Sequence, residues 1–351
     1  VLGSVNFGIL SYGLAISAYI ETIVRYGTDK TLVRDIVHQE DRIAEIVTVT
    51  MILKLFLFFI CLCLLLIYIK TCQNGENDLV LWIIIGSSLT AFEAKGAYDA
   101  TNNIRRHCIY FAGFRSIFFF FIWICIFTNA NKLTLEYIGI AMTISVCVYM
   151  AVQYKWILNR YSKRIIFKSI NNGIWQLLRC NSFVCFAALC ALGLTAFNQV
   201  ILKKYCGADE LGVYAAAWQF FWVGNLFILQ LSRVGHPILA RKLLIDEIRR
   251  IELFSFIFKY MAVMVAAILP IALPMIVFPD LIINTFFSQE FSQSITPLRI
   301  IGLYLMVISF GVVFSQYIII SRKDKLYMII VLIFGAISMM LSWFIVPKFQ
   351  A

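Results

Sequence analysis

Apolar residues in this chain gather in long blocks separated by short polar stretches, as in IVTVTMILKLFLFFICLCLLLIYI at 46–69. At 1.5 Å per residue, about 20 such residues form a helix that crosses the ~30 Å hydrocarbon core of a bilayer. Ten blocks of this kind predict spans near 7–27, 46–69, 79–99, 108–128, 135–154, 181–202, 211–232, 252–278, 298–320 and 326–346. Transmembrane barrel strands alternate apolar and polar residues. Runs such as FAGFRSIFFFFIWICIF at 111–127 do not. The fold class predicted is an all-α polytopic membrane protein with about ten transmembrane helices.

Composition agrees: 62% of the 351 residues are hydrophobic and 14% charged, against roughly 45–50% and 25% in soluble domains. A net charge of +11 invites a nucleic-acid reading until the charges are placed. Numbering the loops alternately puts 19 basic residues in one set, from Lys30 and Arg34 to Arg322, Lys323 and Lys325, and 5 in the other. The positive-inside rule assigns the first set to the cytoplasm, and no nucleic-acid partner is expected. The ten cysteines lie mostly within spans, and His38, His107 and His236 stand near no HExxH or CxxC. No metal or other cofactor is expected.

The chain repeats itself. Gly3 and Gly8 of VLGSVNFGILSYGL fall on Gly207 and Gly212 of YCGADELGVYAAAW at an offset of 204. Six crossings lie between the copies, an even number, so both have one orientation: a parallel repeat. Each copy leads into an apolar helix expected to end at a glycine, Gly27 or Gly235. The next helix then carries a lysine, Lys54 or Lys259, at an offset of 205. Because the helix 181–202 precedes the second copy, one is expected before Val1; by the same logic one is expected after residue 351. The organisation expected is a parent of twelve helices in two lobes. Residues 1–154 form the N-terminal lobe lacking its first helix, and 181–351 the C-terminal lobe lacking its last. Residues 155–180, KWILNRYSKRIIFKSINNGIWQLLRC, are a basic cytoplasmic linker with six basic residues and no acidic one. It is either an amphipathic segment on the anionic leaflet or a solvated connection.

Four stretches carry a family resemblance: LGSVNFGILSYGLAISAYI (2–20), TLVRDI (31–36), GADELGVYAAAW (207–218) and FFSQEFSQSITPLRIIGL (286–303). They resemble the polysaccharide-transporter branch of the multidrug/oligosaccharidyl-lipid/polysaccharide exporter superfamily, and Wzx-type O-antigen flippases in particular. In the last stretch Ser288 stands where that family usually has glycine. The resemblance implies two six-helix lobes facing across a cavity. It also implies transport of a polyprenyl-pyrophosphate-linked oligosaccharide, an O-antigen or capsule-type repeat unit of lipopolysaccharide or polysaccharide biosynthesis. The site implied is a multi-pass protein of the bacterial inner membrane. Partners would be the lipid-linked substrate, membrane lipids, and the polysaccharide polymerase with its chain-length machinery.

Ionisable groups within spans cost at least ~2.5–3.5 kcal/mol at the bilayer centre, so each needs an account. Glu21 and Arg25, and Lys95 and Asp99, stand four apart and either neutralise each other or serve function. Glu21, Glu93 and Asp99 are candidates for ion coupling. Lys54, Arg115, Lys259 and Arg299 have no acidic neighbour at helical spacing. Together with Arg25 they are candidate binders of an anionic cargo, holding its phosphates. Asn198, Gln199, Trp218, Gln219 and Asn225 are candidate sugar contacts or interhelical glue. No Walker A motif occurs, so ATP hydrolysis in this chain is not expected. Two other readings remain open: a multidrug or cation exporter of the same superfamily, and a membrane polysaccharide polymerase. The polymerase needs catalytic carboxylates on a large external loop, where 279–297 offers only Asp280 and Glu290. The expectation is a transporter and not an enzyme.

Overall fold

The computed structural model describes residues 3–29, 32, 36, 42–72, 77–101, 103–128, 135–161, 170–244, 250–321 and 323–349. Among these every regular element is helical. In chain order they are α1 (Gly3–Arg25), α2 (Ile43–Cys72), α3 (Asn77–Ser88), a 3₁₀ turn (Leu89–Phe92) and α4 (Lys95–Ala100). Next come α5 (Ile104–Thr128), α6 (Leu135–Tyr161), α7 (Ile170–Leu192), α8 (Ala196–Cys206) and α9 (Ala208–Leu244). The last are α10 (Arg250–Val277), α11 (Pro279–Phe286), a 3₁₀ turn (Gln289–Ser294), α12 (Ile295–Ile320) and α13 (Asp324–Phe349). Among the described residues ten spans are long and apolar enough to cross a membrane, the number predicted. Large apolar side chains such as Phe59, Phe119 and Phe344 are more than half exposed, as a lipid-facing surface requires.

Three expectations shift. The sixth span covers Gly173–Leu192 and not 181–202. The chain turns at Gly193–Thr195, where successive N–H groups reach back only three residues, and α8 begins afresh. The described part of the linker is helical, Lys155–Tyr161 extending α6 and Ile170–Cys180 opening α7. Nothing in those stretches breaks a helix except Gly173, a weak breaker. Residues 162–169 lie outside the described part, as do His38 and most of TLVRDI. Gly235, expected to end its helix, sits inside α9. Its bare face is taken by the ring of Tyr260, and no left-handed conformation is needed there.

The contacts divide the chain into two compact units. The first comprises Tyr12–Ile201 with Gly335–Trp343, the second Leu2–Ser11 with Leu202–Phe334 and Phe344–Ala351. In the first, α3 packs along α6, so closely that a Cβ on Gly139 would meet the backbone of α3 at Trp82 and Ile83. A core of Leu32, Ile36, Ile43, Val47, Ala97 and Tyr98 fills one end. The middle of α13 lies on α7 and α8, where Ser338 donates to the Gly193 carbonyl. In the second unit α9, α10 and α12 enclose Met264, Ile268, Leu298 and Leu305, each fully buried.

The repeated glycines meet in the second unit. Gly3 and Gly207 both take the left-handed conformation, φ 68° and 96°, which glycine adopts without steric penalty. Gly8 and Gly212 then face each other where α1 crosses α9. A Cβ on Gly8 would overlap the Ala208 carbonyl, and one on Gly212 the Ser4 carbonyl. Small residues let two helix backbones approach this closely in a membrane. Around the crossing, Ser4 N–H donates to Glu290 Oε2 at 3.3 Å. Phe7 meets Phe287 and Phe291 edge-on at 6.1 and 5.9 Å. A carboxylate at the first free N–H groups of a helix complements its dipole, so Glu290 has a structural partner there.

Candidate functional site

The third span, Val80–Ala100, is not one helix. α3 gives way to the 3₁₀ turn at Leu89, and Glu93 leaves helical geometry altogether, with φ −52° and ψ 129°. Hydroxyls prepare the break: Ser88 bonds back to the Ile84 carbonyl and Thr90 to that of Ser87. Such back-bonding competes with the helical ladder. A broken helix in lipid must have its freed backbone groups satisfied by protein. Here four side chains do it. Arg25 Nη2 donates to the Thr90 carbonyl at 3.4 Å, Lys54 Nζ to Ala91 at 2.8 Å and Tyr154 Oη to Phe92 at 2.8 Å. The Ala94 N–H donates to Gln153 Oε1 at 3.1 Å.

The cations that reach this break are held by carboxylates. α1 ends as Tyr26 and Gly27 turn left-handed, φ 45° and 70°. That turn brings Asp29 back beside Arg25. Arg25 lies 2.6 Å from Glu21, 2.6 Å from Asp29 and 3.8 Å from Glu93. Lys54, only 2% exposed, is 3.2 Å from the other oxygen of Asp29. Beyond Glu93 the network continues through His107 Nε2 at 3.2 Å and the Tyr149 hydroxyl, which donates to Glu93 Oε1 at 3.0 Å. His107 Nδ1 in turn lies 3.4 Å from Gln153 Nε2 and 3.5 Å from Tyr149 Oη. Three carboxylates, Glu21, Asp29 and Glu93, therefore face two basic side chains, Arg25 and Lys54, with His107 beside Glu93.

Of the residues singled out in the sequence, Glu21, Arg25, Lys54 and Glu93 come together here, all in the first unit. Glu21 and Arg25 pair as their spacing predicts. Lys95 and Asp99 do not: both lie within α4, Lys95 exposed, and among the described residues they form no ion pair. Arg115, also in the first unit, is exposed, its guanidinium 5.2 and 5.3 Å from the rings of Phe111 and Phe114. Lys259 and Arg299 are exposed positions of the second unit. Asn198 accepts from Ser342, and Gln199 is buried beside it. Trp218 stacks on Phe221 at 4.4 Å and Tyr214 at 5.6 Å and is 6% exposed. Gln219 is exposed and Asn225 half-buried. Sequence reasoning missed Asp29, His107, Tyr149 and Gln153. The only signal for Asp29 was a carboxylate two residues past a helix-ending glycine.

Residues 1–99 match the family described as polysaccharide biosynthesis protein. No curated protein matches the chain. A multidrug resistance MATE family transporter of the MOP superfamily, solved in an inward-facing conformation, aligns with a TM-score of 0.72 at 16% identity. That alignment covers 98% of this chain and 80% of the other. An outward-facing structure with the same description aligns at 0.61 and 13%, covering 98% and 78%. At such identities the likeness is one of fold. The family match covers the first 99 residues, and the likeness of fold nearly the whole chain.

Proposed function

We propose that the protein is a flippase carrying a polyprenyl-pyrophosphate-linked oligosaccharide, an O-antigen or capsule-type repeat unit, from the cytoplasmic to the outer face of a bacterial inner membrane. The observation that carries this reading is the match of residues 1–99 to polysaccharide biosynthesis proteins. That stretch contains Glu21, Arg25, Asp29, Lys54 and Glu93, every carboxylate and both the Arg and the Lys of the network. Ionisable side chains inside membrane spans mark ion and substrate pathways, and this reading divides the work between them. The carboxylate network about Arg25 and Lys54 is the ion-coupling element. Arg115, Lys259 and Arg299 are the basic groups left for the cargo's phosphates. Asn198, Gln199, Gln219 and Asn225 are the amides left for its sugars. The chain acts by transport and not by catalysis, with the polymerase and chain-length machinery consuming its product.

A second reading, export of cationic drugs, draws on the multidrug descriptions of the two solved structures and on the excess of carboxylates in the network. One experiment separates them. In cells lacking the complete gene, single lipid-linked repeat units are assayed on each face of the inner membrane. Accumulation on the cytoplasmic face with loss of surface polysaccharide is the result expected. Normal surface polysaccharide together with drug hypersensitivity would transfer the function to the second reading. Single units that reach the outer face but stay unjoined would make the protein a polymerase.

A further inference from the structure

A chain of hydrogen bonds runs from the broken span to Glu93, and its direction is set from one end. Where Glu93 leaves helical geometry, the next N–H, that of Ala94, donates to Gln153 Oε1 at 3.1 Å. A backbone N–H can only donate, so the carbonyl oxygen of this amide faces Ala94 and its nitrogen faces the other way. Turning the amide over would set its NH₂ group against the Ala94 N–H. Gln153 is fully buried, where such a mismatch is costly. Its nitrogen lies 3.4 Å from His107 Nδ1. Across the imidazole, Nε2 lies 3.2 Å from Glu93 Oε1.

A neutral imidazole has one donor and one acceptor nitrogen, and its neighbours choose which is which. A donor at Nδ1 and a carboxylate at Nε2 agree: the proton sits on Nε2 and points at Glu93. The other tautomer would set an N–H against an NH₂ group and a lone pair against a carboxylate. The Tyr149 hydroxyl, 3.5 Å from Nδ1, does not reverse the choice, because its own proton goes to Glu93 Oε1 at 3.0 Å and Nε2 still faces the carboxylate. The rings of Tyr98 and Phe111, centred 5.7 and 6.3 Å away, flank the imidazole. We infer that Gln153 is a positioning residue: anchored on the Ala94 N–H, it fixes His107 as the Nε2–H tautomer and aims that N–H at Glu93. The part Gln153 plays in transport rests on the reading of this network as the ion-coupling element. Under that reading Gln153 ties the ion site to the helix break. A displacement of Ala94 frees the amide, His107 loses its orientation, and the carboxylate of Glu93, which also faces Arg25 at 3.8 Å, loses a donor.

Nitrogen NMR of the full chain, labelled in its histidines and held in lipid nanodiscs at neutral pH, reads the tautomer, since a bare ring nitrogen resonates far downfield of a protonated one. The chain has three histidines, and His107→Gln identifies the signals of this ring. The unaltered chain is expected to show His107 in a single form, Nε2 protonated and Nδ1 bare. An Nδ1–H tautomer, an imidazolium or an even mixture in the unaltered chain would overturn the inference, whether or not any variant folds. Gln153→Met keeps the side-chain length but removes the donor, and is expected to turn the single form into a mixture of both tautomers. Gln153→Glu still accepts from Ala94 but offers Nδ1 an oxygen, and is expected to place a proton on Nδ1. His107 signals unchanged in both variants would remove Gln153 from the role. Export of the lipid-linked glycan is followed in the same variants. Loss of the single tautomer together with loss of export supports both the positioning and the coupling. Loss of the single tautomer with full export leaves the positioning standing and takes ion coupling away from the network.

Discussion

Alanine at Gly8 would set a methyl group on the carbonyl of Ala208 and within 2.9 Å of the Gly212 nitrogen. Alanine at Gly212 meets the Ser4 carbonyl and, at 3.2 Å, the Gly8 nitrogen. Neither obstacle is a side chain that can turn aside, so α1 and α9 must part along the whole crossing. Overpacking of this kind costs about 1–3 kcal/mol, and each single variant is expected to lose that much. The double variant is expected to lose less than the sum, because the second methyl enters a gap the first has already opened. Coupling between touching sites runs to about 0.5–3 kcal/mol. Gly113→Ala supplies the contrast. It lies in α5, a Cβ there meets nothing within 4 Å, and the better helix former should gain up to about 1 kcal/mol. Reversible unfolding in mixed detergent micelles, followed by circular dichroism, measures all four proteins. If Gly8→Ala and Gly212→Ala each change stability by less than about 0.5 kcal/mol, and add, α1 and α9 do not touch through these glycines.

Two further predictions concern the broken span. Asp29→Asn leaves the buried Lys54 without its nearest carboxylate, and because Asp29 itself is 35% exposed the cost lies at the lower end of the about 3–5 kcal/mol of a buried pair. Lys54→Met removes the charge together with its donor and leaves the Ala91 carbonyl unbonded, about 1–3 kcal/mol, while Asp29 loses one partner but keeps Arg25 and is itself 35% exposed. The same unfolding assay should therefore rank Asp29→Asn as the more damaging change, and the reverse order would mean that Asp29 is not the counter-ion. Lys259→Gln, at an exposed position, should leave stability within about 0.5 kcal/mol but lower export of the lipid-linked glycan. Unchanged export at normal protein level would remove Lys259 from the cargo site.

The spans were legible because lipid leaves the chain few choices. Every backbone group must bond internally, so helices long enough to cross announce themselves as apolar blocks such as 46–69. Glu21 and Arg25 were legible for a similar reason, since i,i+4 spacing on a helix fixes their proximity. The break at Leu89–Phe92 was not. SSLTAF reads as an ordinary continuation of an apolar span, and what unmakes the helix is the fit of Arg25, Lys54, Tyr154 and Gln153 to its carbonyls and N–H groups, drawn from three other helices. Asp29 was hidden for a different reason. It falls just past Gly27, where a sequence reading ends the span, and only the left-handed turn at Tyr26 and Gly27 carries it back to Arg25 and Lys54.

Lys54 and Lys259 mark the boundary between the two kinds of information. They stand 205 residues apart in matching positions of a repeat whose glycines obey the match: Gly3 and Gly207 share a rare backbone conformation, and Gly8 and Gly212 share a contact. At these two pairs the absence of a side chain sets the geometry and it repeats with the sequence, whereas Gly27 is left-handed and Gly235 is helical. The neighbours of a lysine are set by other segments. Lys54 meets Asp29 and the broken span. Lys259 has no counterpart of that turn, because the corresponding glycine, Gly235, lies inside an unbroken helix against Tyr260. One lysine is thus consumed in holding a helix break together, and the other remains exposed. If the cargo carries phosphate, the copy of the repeat that failed to build a network is the one left able to bind it.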